Sequence, residues 1–234
     1  MQVRRPEKRD LRVVHGEETR KRILGSAMDV ASTEGLEALT IGRLATELGM
    51  SKAGLFSHFG SKEALQIATL DAAREVFLAS VVAPAFQSAE PGLPRLRALA
   101  DNWLRYIEDK VFRGGCVFSS AAVEFDSRPG PVRDRVAAIV REWVGALEHV
   151  IGEARELGQL APDVDPGQLA FELNALMLGA NWGFQLLECA TPLERARRGI
   201  DERLSRAAAG HRAPDALETP HGGEDARRHR KRAR

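Results

Sequence analysis

The amino-acid sequence predicts an all-α protein. Apolar residues recur three or four positions apart along most of the 234 residues, which is the spacing of a helix with one buried face. Helix-capping residues precede several of these stretches, and no segment alternates apolar and polar residues as a strand does. Only 6% of the residues are aromatic, so we expect Leu and Ala to fill the core of about nine helices.

The first predicted helix begins at Glu17, after a polar stretch without periodicity. We therefore expect residues 1–16 to form a disordered basic arm. Ile23 and Ala27 lie at helical spacing and face the core. Gly35 follows at the place where a left-handed residue ends a helix, a conformation that glycine adopts without steric cost.

Three more helices follow at short intervals. Thr40 is a favourable N-cap for the second helix, which Gly49 ends. Ser51 caps the third helix in the same way. Ser61 caps a long fourth helix, which we expect to end at Pro84 because proline interrupts the hydrogen bonds of a helix.

The two short helices within residues 40–59 are joined by a tight turn. This is the layout of a helix-turn-helix, which lays its second helix in the major groove of DNA. We expect residues 17–65 to form a DNA-binding domain and residues 66–208 to form a helical domain that controls it. The composition of residues 209–234 predicts a disordered tail.

Proline and glycine divide the C-terminal part into further helices. Their predicted starts are Pro94, Cys116, Val132, Asp165 and Thr191. The last two are each followed by a proline and then by Gln or Glu at the third helical position, which is a strong signal for a helix N-terminus.

The sequence argues against several function classes. No stretch is long and apolar enough to span a membrane, and the N-terminus lacks the apolar segment of a secretory signal. We find no His/Glu metal motif, phosphate-binding glycine loop or nucleophile elbow, so we expect no enzymatic activity, metal or cofactor. The two cysteines, Cys116 and Cys189, are too few for a disulfide scaffold, which fits a reducing cytoplasm.

The charge distribution favours nucleic-acid contact at the N-terminal end. Residues 1–60 hold ten Lys and Arg against eight Asp and Glu, whereas residues 61–225 hold eighteen against twenty-five. A polyphosphate is repelled by the acidic part. The basic run that ends the chain is a solvated tail or adds non-specific DNA affinity. The N-terminal arm is inert or follows the minor groove with Arg4, Arg5, Lys8, Arg9 and Arg12.

These features together resemble the TetR/AcrR family of bacterial transcriptional regulators. The matching residues of the segment 19–65 keep the family's order and spacing and are Ile23, Ala27, Gly35, Thr40-Ile41, Ala45, Gly49, Ser51-Lys52 and the run from Leu55 to Leu65. A C-terminal stretch is similar to one branch of the family in Gly115 to Phe118, Glu124-Phe125 and Pro129 to Arg133. The resemblance implies a homodimer, a palindromic operator and a small-molecule inducer that binds residues 66–208, with repression as the usual outcome.

Helix geometry and the resemblance together assign nine residues to contact with double-stranded DNA. Thr40 and Ser51 lie at helix N-termini, where hydroxyl and N–H groups suit phosphates. We expect Lys52 to donate to guanine and Ala53 to pack on a thymine methyl. The remaining candidates are Gly54 for close approach, Ser57 on the base-facing side, His58 and Lys62 for phosphates by resemblance, and Arg43 for a base or a phosphate.

One residue departs from the family pattern. Phe56 occupies a position where the family usually has tyrosine, whose hydroxyl touches a phosphate. Phenylalanine retains the packing and cannot donate this hydrogen bond, so we expect that contact to be absent.

A dimer surface is predicted on two helices. Residues 173–187 contain no charged side chain and are apolar all round, so we expect this helix to be buried on all sides. Ala175, Gly179 and Gly183 make a smooth stripe where the symmetry mate approaches closely. The helix of residues 132–157 would complete an isologous four-helix contact. The alternative is that both helices belong only to the core of one chain.

A ligand pocket requires apolar walls and a few polar groups. The predicted walls are Trp103, Tyr106, Phe118, Met177 and Trp182. The predicted polar groups are Asn102, Cys116, Glu124, Asn174 and Asn181. Such walls favour a mainly apolar inducer, while each residue taken alone also fits an ordinary core or surface position.

A second function class remains open at this point. An all-α adaptor would use the same helical pair for protein contacts, without sequence-specific DNA binding. Random-sequence DNA separates the two, because a regulator selects a palindrome and binds it with a steep salt dependence.

Overall fold

The structure is a computed structural model that describes residues 8–209, with side chains from residue 16 onward. A 3-10 turn, Leu36–Ala38, connects the first two helices. Within the described range the only β pairing is a single bridge between Leu160 and Ala208, and the all-α prediction is confirmed. The ten α-helices are α1 Lys8–Glu34, α2 Ile41–Glu47, α3 Lys52–Phe59, α4 Lys62–Phe77, α5 Ala83–Ser88, α6 Leu93–Glu108, α7 Val117–Phe125, α8 Pro131–Glu156, α9 Pro166–Leu187 and α10 Thr191–Ala207.

Helices α1 to α3 and the first turns of α4 form a unit that we call the head. Each helix contributes a fully buried aliphatic side chain to its centre: Ile23, Leu44, Leu55 and Leu65. Helical spacing places these side chains on the inward faces, so the apolar periodicity of the sequence is the direct cause of the packing.

Helix α1 begins earlier than the sequence predicts. The structure is helical from Lys8, so the expectation that the arm continues to residue 16 is wrong for residues 8–16. The sequence of this segment is rich in charged residues and has no sustained apolar spacing, which is why periodicity does not predict this helical start. Residues 1–7 and the side chains of the basic arm lie outside the described part of the chain.

The fourth predicted helix continues past Pro84. A π-helical turn, Leu78–Val82, joins α4 to α5 without a break. Pro84 lies in the first turn of α5, and the wider π turn before it accommodates the missing N–H. If α4, the π turn and α5 are counted as one continuous helix, the described residues contain nine helices, the predicted number.

Helices α6 to α10 build the C-terminal domain, in which α9 packs between α8 and α10. The start of α9 is capped as its sequence predicts, because Asp165 Oδ1 accepts hydrogen bonds from the amides of Gly167 and Gln168 at 2.8 and 3.2 Å. One hydrophobic core runs from the head into this domain. Among the described helices we find none with the length and apolar character of a membrane span.

Candidate nucleic-acid interface and ligand cavity

The helix-turn-helix is held by hydrogen bonds at both helix starts. Thr40 Oγ1 accepts from the amide of Arg43 at 3.1 Å, and Ser51 Oγ accepts from the amide of Gly54 at 3.0 Å. Gly49 has a φ of 64°, a left-handed conformation that favours glycine and turns the chain between α2 and α3. These caps determine where α3 starts and which way it points.

Helix α3 has one buried face and one outward face. Leu55 is fully buried, whereas Lys52, Ala53 and Ser57 are exposed. Phe56 is also on the outward side, with 52% of its surface exposed. The outward residues surround a shallow hollow of about 480 Å³ between α2 and α3, which is lined by Ile41, Gly42, Lys52, Ala53, Phe56 and Ser57.

Arg20 of α1 binds the C-terminal end of α3. Its Nη1 donates to the carbonyl oxygen of His58 at 2.7 Å, and its guanidinium lies 4.5 Å from the centre of the Phe59 ring. The His58 side chain is itself half-buried. Arg20 is not among the predicted site residues, because its spacing looks like that of any solvated cation on a helix.

Two of the predicted DNA contacts form ion pairs within the head. Arg43 binds Glu34 through both of its terminal nitrogens, and Lys62 binds Glu37. Hydrogen bonding from Arg43 lowers the pKa of the Glu34 carboxyl, and hydrogen bonding from Lys62 lowers the pKa of the Glu37 carboxyl. Both carboxylates are therefore negatively charged at neutral pH.

The C-terminal domain contains a cavity of about 890 Å³ between α4, α7, α8 and α9. Six of the ten predicted pocket residues line it: Trp103, Cys116, Phe118, Asn174, Asn181 and Trp182. Sequence reasoning did not select the aromatic walls Phe77 and Trp143, whose rings meet edge to face with centroids 5.2 Å apart.

Four predicted pocket residues lie elsewhere and correct the prediction. Tyr106 is 2% exposed and its ring packs between Phe77 and Phe112. Met177 is fully buried in the core. The remaining two bind backbone groups, since Asn102 donates to the carbonyl of Val81 at 3.0 Å and Glu124 accepts from amides of the head.

The charged groups at the cavity neutralise each other. Arg74 and Glu142 form a two-point ion pair that joins α4 to α8. Hydrogen bonding from Arg74 lowers the pKa of the Glu142 carboxyl. Burial raises the pKa of the Cys116 thiol, so this group is neutral at physiological pH.

Four neutral polar side chains at the cavity differ in whether they already form hydrogen bonds. Asn174 and Asn181 already accept hydrogen bonds, from Trp143 Nε1 at 3.1 Å and from the amide of Cys116 at 3.0 Å. Among the described residues, the buried Ser119 Oγ and Gln185 Nε2 atoms have no hydrogen-bond partner. The cavity therefore combines apolar walls with two unused hydrogen-bond donors.

Helix α9 is only partly buried within one chain, and the expectation that its other face packs on a symmetry mate stays a prediction. An exposed stripe runs along it and consists of Phe171, Ala175, Leu178, Gly179, Trp182 and Leu186. Gly179 has no neighbouring atom within 4 Å of the place a Cβ would occupy. Gly183, by contrast, is covered by Pro192 of the same chain, so it does not belong to the smooth stripe.

Comparison with known proteins gives the same assignment for both parts of the chain. Residues 23–69 match the model of bacterial regulatory proteins of the tetR family. Residues 92–200 match the model of the tetracyclin repressor-like C-terminal domain. The two matches coincide with the helix-turn-helix region and with the domain that contains the cavity.

Individual relatives are similar along most of the chain. The HTH-type transcriptional repressor DhaR of Mycobacterium sp. (strain GP1) is 24% identical over 188 residues, which cover 80% of this chain and 88% of DhaR. A TetR transcriptional regulator from Chloroflexus aurantiacus J-10-FL aligns with a TM-score of 0.74 and 28% identity, covering 83% of this chain and 98% of its own. SCO4454, a TetR-family regulator from Streptomyces coelicolor, aligns with a TM-score of 0.71 and 27% identity, covering 82% and 96%. The chain belongs to the TetR family of transcriptional regulators, which are DNA-binding proteins and not enzymes.

Proposed function

We propose that the protein is a cytoplasmic repressor that binds a palindromic operator as a homodimer and leaves it when a small molecule occupies the cavity. The observation that carries the DNA-binding part is the outward face of α3. Lys52, Ala53 and Ser57 are exposed together, while Leu55 anchors the helix from behind. This is the arrangement needed for a helix that enters the major groove.

Each outward group has a role that its chemistry supports. Lys52 donates to guanine O6 or N7, and Ala53 packs on a thymine methyl. Thr40 and Ser51 contact phosphates at helix starts, with Gly54 allowing close approach. The other proposed contacts are Ser57, His58, Lys62 and Arg43.

The homodimer is proposed to form through α8 and α9. The exposed stripe of α9 carries the large side chains Phe171, Leu178, Trp182 and Leu186, each more than 40% exposed. Apolar side chains that line up along one helix mark a surface that a partner covers. A second copy of the same surface covers it in an isologous contact.

The inducer is proposed to be a neutral and mainly apolar molecule with one or two acceptor oxygens. Aromatic walls surround the cavity, and its two ionic groups already pair with each other. A charged ligand would lose its hydration without gaining a partner of opposite charge. Ser119 Oγ and Gln185 Nε2 can each donate to a carbonyl, ether or hydroxyl oxygen.

Release from DNA is proposed to follow from a change in the spacing of the two heads. Helix α4 contributes Lys62 to the head and Phe77 to the cavity wall. A ligand that binds one arrangement of this helix better than another shifts the population towards it. The two α3 helices then no longer match successive major grooves about 34–36 Å apart.

The experiment for the DNA-reading role compares two lysine variants. A random-sequence library first yields the duplex that the protein selects. Lys52→Ala should lower affinity for this duplex about tenfold or more and leave affinity for a scrambled duplex nearly unchanged, since one base contact contributes about 1–3 kcal/mol.

Lys62→Ala is the matched comparison, because a phosphate contact affects both duplexes alike and flattens the salt dependence. Equal losses on both duplexes for Lys52→Ala would refute its base-reading role. A protein that selects no duplex at all would be an adaptor instead.

A further inference from the structure

Glu124 connects the C-terminal domain to the head. It lies in the last turn of α7, and its two carboxylate oxygens accept hydrogen bonds from the amides of Leu36 and Glu37 at 2.7 and 2.8 Å. Both amides belong to the 3-10 turn between α1 and α2. Hydrogen bonds to an ionised acceptor are stronger than those between neutral groups. A single side chain of the C-terminal domain thus caps the turn that leads into the helix-turn-helix.

The turn and the carboxylate fit each other closely. Gly35 has a φ of 91°, and a Cβ at this position would lie 3.1 Å from both carboxylate oxygens of Glu124. The left-handed backbone conformation and this tight contact both favour glycine. On the other side, the carbonyl of Leu36 accepts from Gln66 Nε2 of α4 at 3.0 Å, in a buried position. The turn is held between α7 and α4.

The same turn leads directly to groups that face DNA. Glu37, whose amide Glu124 binds, holds Lys62 with its carboxylate, and Arg128 lies 3.9 Å from that carboxylate. Thr40, the N-cap of α2, follows three residues after Glu37. A displacement of the Glu124 carboxylate would therefore reach the start of α2 through the backbone and Lys62 through Glu37.

Helix α7 also forms a wall of the cavity. Phe118, Ser119 and Ala122 line it. Ser120 and Val123 of α7 line it too, whereas Glu124 does not, and its carboxylate binds the head. One short helix thus contacts both the cavity and the head.

We propose that Glu124 is the positioning residue that couples occupation of the cavity to the DNA-binding face. A ligand that displaces α7 moves the Glu124 carboxylate and with it the turn before α2. The inference rests on the proposed function, because coupling presupposes that the head binds DNA. It assigns the link to α7, in addition to the route along α4.

The coupling can be measured without knowing the inducer, because coupling between two sites is reciprocal. If cavity occupation changes DNA affinity through Glu124, DNA binding changes the affinity of the cavity for its ligand by the same factor. We expect this coupling to appear as a change in the hydrogen exchange of α7 when DNA binds. Hydrogen exchange of the peptide covering residues 117–125 is recorded with and without the duplex that the protein selects. Peptides covering residues 40–59 report DNA binding itself.

Three variants test the assignment. Glu124→Ala removes both hydrogen bonds, and Glu124→Gln keeps one acceptor and offers a donor to the other amide. Glu153→Ala is the matched control, because Glu153 also accepts from a backbone amide, that of Gly92 at 3.0 Å, but touches only the C-terminal domain.

In the wild-type protein we expect DNA binding to change the hydrogen-exchange rates of residues 117–125 and of residues 40–59. In Glu124→Ala the change at residues 117–125 should disappear while residues 40–59 stay protected by DNA, with affinity for the duplex lowered about fivefold to tenfold. Glu124→Gln should lie between these two results, and Glu153→Ala should behave as the wild type.

An undiminished change at residues 117–125 in Glu124→Ala would overturn the proposal, because coupling would then run through α4 alone. The same loss in Glu153→Ala would also overturn it, since any damaged cap would suffice. A wild-type protein that selects no duplex would instead refute the proposed function, and the coupling with it.

Discussion

Two carboxylates at the junction of α1 and α2 bind two cations that we propose to contact DNA. Glu34 binds Arg43 and Glu37 binds Lys62. A DNA phosphate must compete with these carboxylates for the same hydrogen-bond donors. At the scale of single residues, we therefore expect the acidic side chains of the head to lower DNA affinity through these ion pairs.

Replacing Glu37 by Gln should strengthen binding to duplexes of any sequence. The substitution removes a negative charge beside Lys62, so the ammonium is free to bind a phosphate and one repulsive charge is lost. We expect severalfold tighter binding at low salt in a fluorescence anisotropy titration. Glu90→Gln, on an exposed side chain outside the head, is the control. A gain that persists when Lys62 is also replaced by Ala would contradict this explanation.

Replacing Phe56 by Tyr should tighten DNA binding. The ring is already exposed on the outward side of α3, so a hydroxyl added to it meets no core atoms. A hydrogen bond to a charged phosphate is worth about 1.5–3 kcal/mol, and we expect at least a severalfold lower Kd on selected and scrambled duplexes alike. Unchanged affinity would indicate that Phe56 does not lie beside a phosphate.

Residue type and helical position predicted part of the site but not its contacts. The caps Thr40 and Ser51 could be predicted, because a cap acts on the next turn of its own helix. Glu124 was expected at the pocket, and the structure shows it bound to Leu36 and Glu37, which are far away in the sequence. A partner on another element depends on tertiary packing, which local spacing does not describe.

At the scale of elements, α9 ends in a strained residue. Glu188 adopts a φ of 51° and a ψ of 37°, and its amide donates to the carbonyl of Phe184 at 3.1 Å. The left-handed conformation is unfavourable for a residue with a side chain and suits glycine. Glu188 is thus the C-cap of the helix that carries the exposed stripe, and its left-handed conformation lowers the stability of the fold.

Glu188→Gly should raise the free energy of unfolding by about 1 kcal/mol, because it removes this strain. Chemical denaturation at one fixed protein concentration measures the effect, since a dimer's stability depends on concentration. Glu194→Gly, at a helical position in the first turn of α10, is the matched control and should lower the value by a similar amount. A loss of stability in Glu188→Gly would contradict the account.

The boundaries of elements were predicted least well where the rules for helices conflict with packing. Pro84 was expected to end a helix, and a π turn instead carries the helix past it. The start of α1 lies in a segment rich in charged residues, where apolar spacing does not predict a helix. Interior segments with regular apolar spacing, such as α8 and α9, were located to within a few residues.

At the scale of the whole molecule, the exposed stripe of α9 leaves a large apolar surface on one chain. Gly179→Asp places a charge in the middle of this surface, at a position where a Cβ has no neighbouring atom from the rest of its chain within 4 Å. We expect it to yield monomers in light scattering, with the helical circular dichroism retained. Val111→Asp, at an exposed apolar residue outside the stripe, should leave the dimer intact.

An intact dimer in Gly179→Asp would place the symmetry contact elsewhere. Gly183 is unsuitable for this test, although its spacing suggests it, because a side chain there would collide with Pro192 within the same chain. The sequence shows that residues 173–187 of α9 carry no charge and are apolar all round. Which of its faces packs on α10 and which stays exposed is decided by the neighbouring helices.

The symmetry of the DNA that the protein selects reports directly on whether two heads bind together. Purified protein is incubated with random-sequence duplexes, and the bound fraction is sequenced after several rounds. We expect a palindrome whose half-sites are centred about 10 base pairs apart, or a multiple of this, because two copies of α3 read major grooves on one face of the duplex. Enrichment of a single asymmetric half-site, or no enrichment at all, would contradict this expectation.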